Sequence, residues 1–296
     1  MAKYIKGEAV ANATAYTLHN KNNNYEHLAE QTENVTEGIN FNLDELALPA
    51  GVVTLVVKAK ADGYEDSDYS NEITYVNGAR ESLINIDMNN GQNIGTGTGK
   101  YNATVFGDGV FGNGKFKTNN GTGYATIPID FISSKTSKFT AFFIFENWVK
   151  GSAKYGRFFR FSSDVPNTYL NDPTVTGGSY SIRFKLLNNY TTSVVDYINP
   201  DILKKESASD YYYIPVEAGE KLAIAVRCDG EKYSYWKDGI LVATTKCTND
   251  TPSSCNWNEL QIGDQPQQYA LSSFECSKIM VWNDSLSDEE METLKR

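Results

Sequence analysis

Histidine is nearly missing from this chain of 296 residues: His19 and His27 are its only two. Two imidazoles are too few for a histidine-built metal centre. A Ser–His–Asp arrangement would have to draw on the same pair, both near the N-terminus. Cysteine is also scarce, and Cys228, Cys247, Cys255 and Cys276 follow no zinc spacing. Cys228 and Cys276 sit in strand-like runs and read as buried free thiols. A Cys247–Cys255 bridge is the alternative for the other two, in an oxidising compartment. Basic charge is the minority: Lys and Arg number 27 against 37 Asp and Glu, for a net charge of −10. No local Lys/Arg cluster forms the basic face that nucleic acid needs, so nucleic acid is set aside. The same acidity disfavours an anionic membrane surface. No run approaches the roughly 20 apolar residues of a membrane helix. The opening MAKYIKGEAVANATAY has no apolar h-region, so no secretory signal is expected, unless a leader has been removed.

Two catalytic signatures are missing as well. A glycosidase needs two carboxyl groups about 5–9.5 Å apart. Alternate positions of one strand would supply them, but no E-x-D-x-E run occurs. Glu65-Asp66-Ser67-Asp68 falls in a loop and Asp288-Glu289-Glu290 in a terminal helix, and both read as solvated surface. The GTGTG segment at 95–99 has no Lys-Ser/Thr at phosphate-loop spacing and no helix pattern after it. The chain is therefore expected not to be an enzyme.

What the sequence has is strands. Aromatic residues make up 12% and hydrophobic residues 40%, enough for packed cores, and the length suits two domains. AYTLHNK and YEHLAEQ flank the turn residues NKNNN and predict a hairpin. Ile39, Phe41 and Leu43 alternate in strand fashion. GVVTLVVKAKADG, at 51–63, is a β-branched run between glycines, and EITYV, at 72–76, is one more strand. From Leu83 the texture turns rich in Gly, Asn and Thr, which reads as loops between short strands. Then come ATIPI, KFTAFFIFENW, GRFFRFSS, YSIRFKLL, KLAIAVRC, KYSYW, ILVATT, ELQIG and SKIMVW, a spacing that predicts a sandwich or jelly roll. The one helix expected is terminal, with Ser287 as N-cap and Glu290 completing a capping box.

Several of these segments resemble known families. TLVVKAKADGYEDSDYSNEITY, at 54–75, resembles strands F and G of a fibronectin type III domain, and ATAYTLHNKNNNYEHLAE resembles its strands C and C′. Few residues precede Tyr16, so the first strands must be short or absent, and no tryptophan takes the early core position. AGEKLAIAVRCDGEKYSYWKDGILVATT, at 218–245, resembles the strand–hairpin–strand of the laminin-G-like branch of the concanavalin A-like lectin fold. Lys237-Asp238-Gly239 supplies its type I′ turn. LQIGD, at 260–264, and FECSKIMVWNDSLSDEEMETL, at 274–294, resemble its following strand and its closing strand with short helix. The resemblance implies an all-β chain. A small fibronectin type III-like sandwich, 1–79, for docking or assembly precedes a laminin G-like, concanavalin A-like jelly-roll sandwich, 80–296, for binding.

The lectin-like resemblance implies ligand-binding aromatics. Trp236 would lie on an outer, concave sheet where relatives bind ligands, or else pack under a loop. Trp148, Tyr155, Tyr211 and Tyr213 are further candidates. No cofactor is expected. Calcium is common among relatives, with Asp108 and Asp264 as oxygen donors, though no EF-hand loop exists. Both modules together resemble virion surface proteins of tailed bacteriophages, in a head-fibre, capsid-decorating or tail-attachment role. The implied partners are capsid or tail proteins, further copies of the chain, and a host-surface glycan bound weakly and many times over. The alternative is a bacterial cell-surface carbohydrate-binding or adhesion protein.

Overall fold

The computed structural model describes residues 3–119, 121–132, 136–149, 155–162, 181–187, 196–201, 214–217, 219–246, 257–263 and 273–296. Side chains at 155–157, 162, 181–187, 196–201, 214–215, 245–246 and 257–258 are excepted. The chain divides into two compact units, Met1–Arg80 and Glu81–Arg296.

The described strands of the first unit are β1 (Tyr4–Gly7), β2 (Ala15–Asn20), β3 (Glu26–Gln31), β4 (Ile39–Asn42), β5 (Gly51–Lys60) and β6 (Ile73–Asn77). They form a sheet of order β3-β2-β5-β6 and a separate β1-β4 pair. This is the C′-C-F-G and B–E arrangement of a fibronectin type III-like sandwich, with the opening strand cut to the four residues of β1. Strand alternation selects the core. Tyr16 and Leu18 of β2 and Val53, Leu55 and Val57 of β5 turn inward onto Ile5, Phe41 and Leu43. Tyr16 stands where a tryptophan was missed. Its ring is fully buried, and its hydroxyl accepts from the Val10 N–H at 2.8 Å and donates to the Val35 carbonyl at 3.4 Å. Two serines extend the sheet ahead of the start of β6. Ser67 and Ser70 side chains accept from the Ala59 and Val57 N–H groups, each at 2.9 Å.

The second unit carries fifteen further strands among its described residues, closed by one helix. They are β7 (Ile84–Asn85), β8 (Thr104–Phe106), β9 (Val110–Gly112), β10 (Lys115–Thr118), β11 (Tyr124–Ile132), β12 (Phe139–Val149), β13 (Tyr155–Ser162), β14 (Ser181–Leu187) and β15 (Asp196–Asp201). After these come β16 (Ile214–Val216), β17 (Leu222–Cys228), β18 (Lys232–Lys237), β19 (Ile240–Lys246), β20 (Trp257–Ile262), β21 (Ser273–Trp282) and helix α1 (Asp288–Glu292). One sheet has the order β19-β18-β17-β12-β21-β10-β9, with β7 also on β21, and the other the order β16-β15-β14-β13-β20-β11-β8. Every described pairing is antiparallel, as in a jelly-roll sandwich.

Between the sheets, β12 presents Phe139, Ala141, Phe143 and Phe145, while β13 presents Phe159 and Phe161. Phe143 and Phe159 stack at 4.1 Å. Burial of such a ring contributes about 1.5–3 kcal/mol. Cys228 and Cys276 are buried in this core, and Cys247 and Cys255 lie outside the described residues. The Asp238–Gly239 turn has φ of 52° and 73°, the two left-handed residues of a type I′ hairpin. Helix α1 is only five residues long. Ser287 and Glu290 form its capping box, with Ser287 Oγ accepting from the Glu290 N–H and Glu290 Oε2 from the Ser287 N–H.

The outer face of the larger sheet is partly covered by the chain's own end. Thr140 Oγ1 donates to the Asp284 carbonyl at 3.2 Å and accepts from the Leu286 N–H at 3.0 Å. Arg227 donates to the Leu286 carbonyl at 2.9 Å. Phe142, Trp236 and Trp282 on this face, and Leu286, Met291 and Leu294 of the terminal segment, are all buried outside the inter-sheet core.

Candidate binding surface

Strand alternation gives the second sheet an outer face of polar and aromatic residues. On β11, Ala125 and Ile127 enter the core, so Tyr124 and Thr126 face outward. On β20, Leu260 and Ile262 enter and Gln261 faces out. On β13, Phe159 and Phe161 enter and Arg160 faces out. The register sets Thr104 opposite Thr126, Thr126 opposite Gln261, and Gln261 opposite Arg160. One row across four strands thus aligns two hydroxyls and a guanidinium about the amide of Gln261. Arg160 Nε and Nη2 donate to Gln261 Oε1 at 2.9 and 2.6 Å, and Gln261 Nε2 donates to the Gly263 carbonyl at 3.3 Å. Gln261 is fully buried within this chain of bonds.

An aromatic pair borders the row. Phe106 stands opposite Tyr124, and their rings stack at 4.8 Å with 9° between planes. Phe106, on the edge strand β8, is 41% exposed. Two glycines bring the turn after β8 against the start of β11. A Cβ on Gly107 would lie 2.0 Å from the Thr122 carbonyl oxygen, and one on Gly123 would lie 2.4 Å from the Gly109 nitrogen. Only glycine permits both approaches.

The aromatic residues expected from sequence fall elsewhere. Trp148 belongs to the inter-sheet core at 2% exposure. Its Nε1 donates to the Glu220 carbonyl at 2.9 Å, and its ring meets Phe158 edge-on at 5.8 Å. Trp236 does face outward from its sheet, while Tyr233 and Tyr235 enter the core. Yet it is only 4% exposed, because the terminal segment lies over that face. Its Nε1 donates to Ser234 Oγ at 3.1 Å, and the Arg227 guanidinium sits 5.5 Å from its ring. Both tryptophans are buried packing residues in this conformation, which for Trp236 is the second of its two readings. Tyr155 opens β13 opposite Leu187. Tyr211, Tyr213 and Asp264 lie outside the described residues. Asp108 is half-buried in the Gly107–Gly109 turn. Among the described residues no group of three His, Cys, Asp or Glu could hold a metal ion.

On the larger sheet, β10, β12 and β21 carry an ionic cluster. Glu275 on β21 receives Lys115 at 2.6 Å, Lys117 at 2.8 Å and Asn147 at 2.9 Å. The hydrogen bonds from Lys115 and Lys117 pull its carboxyl down to about 2. These charges are satisfied by one another.

Phe106 and Tyr124 were missed because the Gly-rich stretch around them reads as loop. The one available signal was the β-branched and aromatic run Thr104–Phe106, only three residues long.

No known protein family and no curated protein matches the chain by sequence. By structure it is similar to the binding domain of botulinum neurotoxin serotype D, at 12% identity and a TM-score of 0.45, over 72% of this chain and 50% of that one. It is also similar to domain 4 of AbnA, an extracellular GH43 arabinanase from Geobacillus stearothermophilus, solved in complex with arabinotriose. There the identity is 10% and the TM-score 0.45, over 73% of this chain and 98% of that one. A third similar structure belongs to botulinum neurotoxin type C, whose cell entry is dependent upon interaction with two ganglioside molecules. It is 11% identical with a TM-score of 0.48, over 72% of this chain and 50% of that one. The chain thus spans about half the length of the neurotoxin chains it matches. The second unit is a two-sheet antiparallel β-sandwich.

Proposed function

We propose that the second unit is a non-enzymatic carbohydrate-binding module that works without a cofactor. The observation that carries this reading is the stacked Phe106–Tyr124 pair beside the Thr126–Gln261–Arg160 row. A sugar ring offers an apolar C–H face and a rim of hydroxyls. Aromatic rings with a polar handle suit the first, and the Thr104 and Thr126 hydroxyls and the Arg160 guanidinium, which Gln261 holds in place, suit the second. Titration of the full chain against neutral oligosaccharides tests it. Tyr124→Ala and Phe106→Ala are expected to weaken binding at least about fivefold, the loss of about 1 kcal/mol of stacking. No saccharide bound by the unaltered chain would overturn the reading.

The wider role proposed is display on the surface of a tailed-bacteriophage virion, with bacterial cell-surface adhesion as the alternative. The first unit supports an assembly role through its open edges. Among the described residues β1 pairs only with β4, and β3 ends its sheet. One edge is already blunted. Gln31 accepts from the Asn40 N–H at 2.8 Å and donates to the Gly38 carbonyl at 2.9 Å, so a side chain takes a strand's place along β4. Open edges call for cover, which copies of the chain or a capsid or tail protein would supply. Light scattering of the full chain, and protein mass spectrometry of purified particles whose genome encodes it, test this role. A monomer absent from such particles would exclude it.

A further inference from the structure

The register brings together four basic positions that the linear sequence disperses. Arg157 and Arg160 belong to GRFFRF on β13, and Arg183 and Lys185 to IRFK on β14. The strand pairing sets Arg160 opposite Arg183 and Arg157 opposite Lys185. Arg160 is outward because its neighbours Phe159 and Phe161 are core residues. Directly paired residues share a face, and so do alternate residues of one strand. All four basic positions therefore fall on the outer face that also carries Gln261, Thr126 and Tyr124. The register shift between Arg157 and Phe159 is what makes this possible: one extra residue restores Arg157 to the face of Arg160.

Like charges placed directly opposite each other destabilise a sheet. Here two such pairs lie side by side in a protein with a net charge of −10. The pairing also sets acidic positions near them, among the described residues. Asp201 on β15 stands opposite Arg183, and Glu259 lies one row away, opposite Ser162. Lys185 faces Asn199. The Arg160 guanidinium spends two of its five N–H groups on Gln261.

We propose that this quartet is an anion subsite, and that the saccharide taken by the outer face is acidic, with carboxylate or sulfate groups on its sugar units. The inference rests on the carbohydrate-binding reading and gives it a ligand class. A guanidinium recognises carboxylate and sulfate oxygens through paired N–H donors, and such charge-assisted bonds are the stronger ones. The neighbouring threonine hydroxyls and the aromatic pair supply the contacts that sugar rings need. A nucleic acid would instead call for a longer basic track along its backbone.

The test uses the full chain in isothermal titration against polygalacturonate, dextran sulfate, neutral dextran oligosaccharides and a single-stranded oligonucleotide, at two salt concentrations. Acidic polymers are expected to bind at least about tenfold tighter than neutral ones, with an advantage that shrinks in high salt. Preference between polygalacturonate and dextran sulfate assigns the carboxylate or the sulfate. The double variant Arg183→Gln, Lys185→Gln is expected to lower the acidic-to-neutral affinity ratio at least about tenfold, and Arg183→Lys to retain most of it. Thermal melting checks that each variant is folded. Equal binding of acidic and neutral polymers, or a ratio unmoved by the double variant, overturns the anion subsite and leaves the carbohydrate reading standing. Binding of neither polymer class overturns both. Oligonucleotide affinity equal to that of the acidic polymers, and lost in the same variant, overturns the saccharide assignment.

Discussion

Arg227 Nη1 and Asp288 Oδ1 meet at 2.6 Å, joining the middle of the larger sheet to the first turn of the terminal helix. The arginine is 9% exposed and the aspartate 64%. The same guanidinium reaches Ser234 Oγ at 3.1 Å and the Leu286 carbonyl at 2.9 Å. One cation therefore holds the segment that covers Trp236.

Arg227→Ala is expected to cost about 2–3 kcal/mol, because it strips partners from a buried carbonyl and hydroxyl. Asp288→Ala, which removes only the exposed partner, should cost less than about 1 kcal/mol. Urea denaturation measures both. Acrylamide quenching should show increased tryptophan access in the first variant alone.

The core of the second unit makes a larger demand on packing. Phe143 stacks on Phe159 at 4.1 Å and lies 6.0 Å from Phe145. Phe143→Ala is expected to cost about 3–5 kcal/mol, and Phe143→Leu about half of that. The ratio of the two shifts, read from denaturation midpoints, reports whether the site collapses around the smaller side chain.

Glu275 links stability to acid. Its carboxyl is lowered from 4.5 to about 2 by the Lys115 and Lys117 hydrogen bonds. A depressed carboxyl stabilises the fold fully above the unfolded value and loses that contribution as pH falls from about 4.5 through about 2. Glu275→Gln is expected to lower stability by about 1–2 kcal/mol at pH 7, allowing for partial solvent screening. It should also flatten the melting temperature across that acid window. An unchanged slope there would assign the acid sensitivity to other groups.

Much of the architecture is legible in sequence where one local rule suffices. Alternation in KFTAFFIFENW marks Phe139, Phe143 and Phe145 as core, Asp238-Gly239 writes its own turn, and Ser287 with Glu290 writes its own cap. The binding face is less legible, because it depends on pairings between distant strands. Tyr124 gains Phe106 only across β8, and Arg160 gains Arg183 only across β14. The cover over Trp236 was illegible for the same reason. Its strand sets it on the outer face, but residues far along the chain cover it. β15 and β16 escaped notice because Pro200 and Pro215 interrupt their strand pattern.

Cys276 offers a chemical probe of the same core. Burial pushes its thiol up to about 12, and its Sγ donates to the Lys278 carbonyl at 3.3 Å. Thiolate is the reactive form, so Cys276 should resist iodoacetamide in the native protein at pH 8 and alkylate fully in denaturant. Peptide mass spectrometry reads the difference. Rapid native labelling would show that β21 opens locally.

The β18–β19 turn is docked on the chain's end, and its two residues should respond differently to change. Asp238 accepts from Arg296 Nε at 2.8 Å and from Nη2 at 2.5 Å, an ion pair on a side chain that is 45% exposed. Gly239 has φ of 73°, and a Cβ there would come within 2.5 Å of the Glu292 carbonyl oxygen. Asp238→Asn keeps a residue that tolerates the left-handed region and loses only a screened charge, so about 0.5 kcal/mol is expected. Gly239→Ala adds backbone strain and drives a methyl into the last turn of the helix, so about 2 kcal/mol or more is expected. Truncating residues 292–296 removes the clash but not the strain. Gly239→Ala in that shortened chain should therefore cost about 1 kcal/mol. Equal costs in the two backgrounds would mean that the turn and the helix do not press on each other.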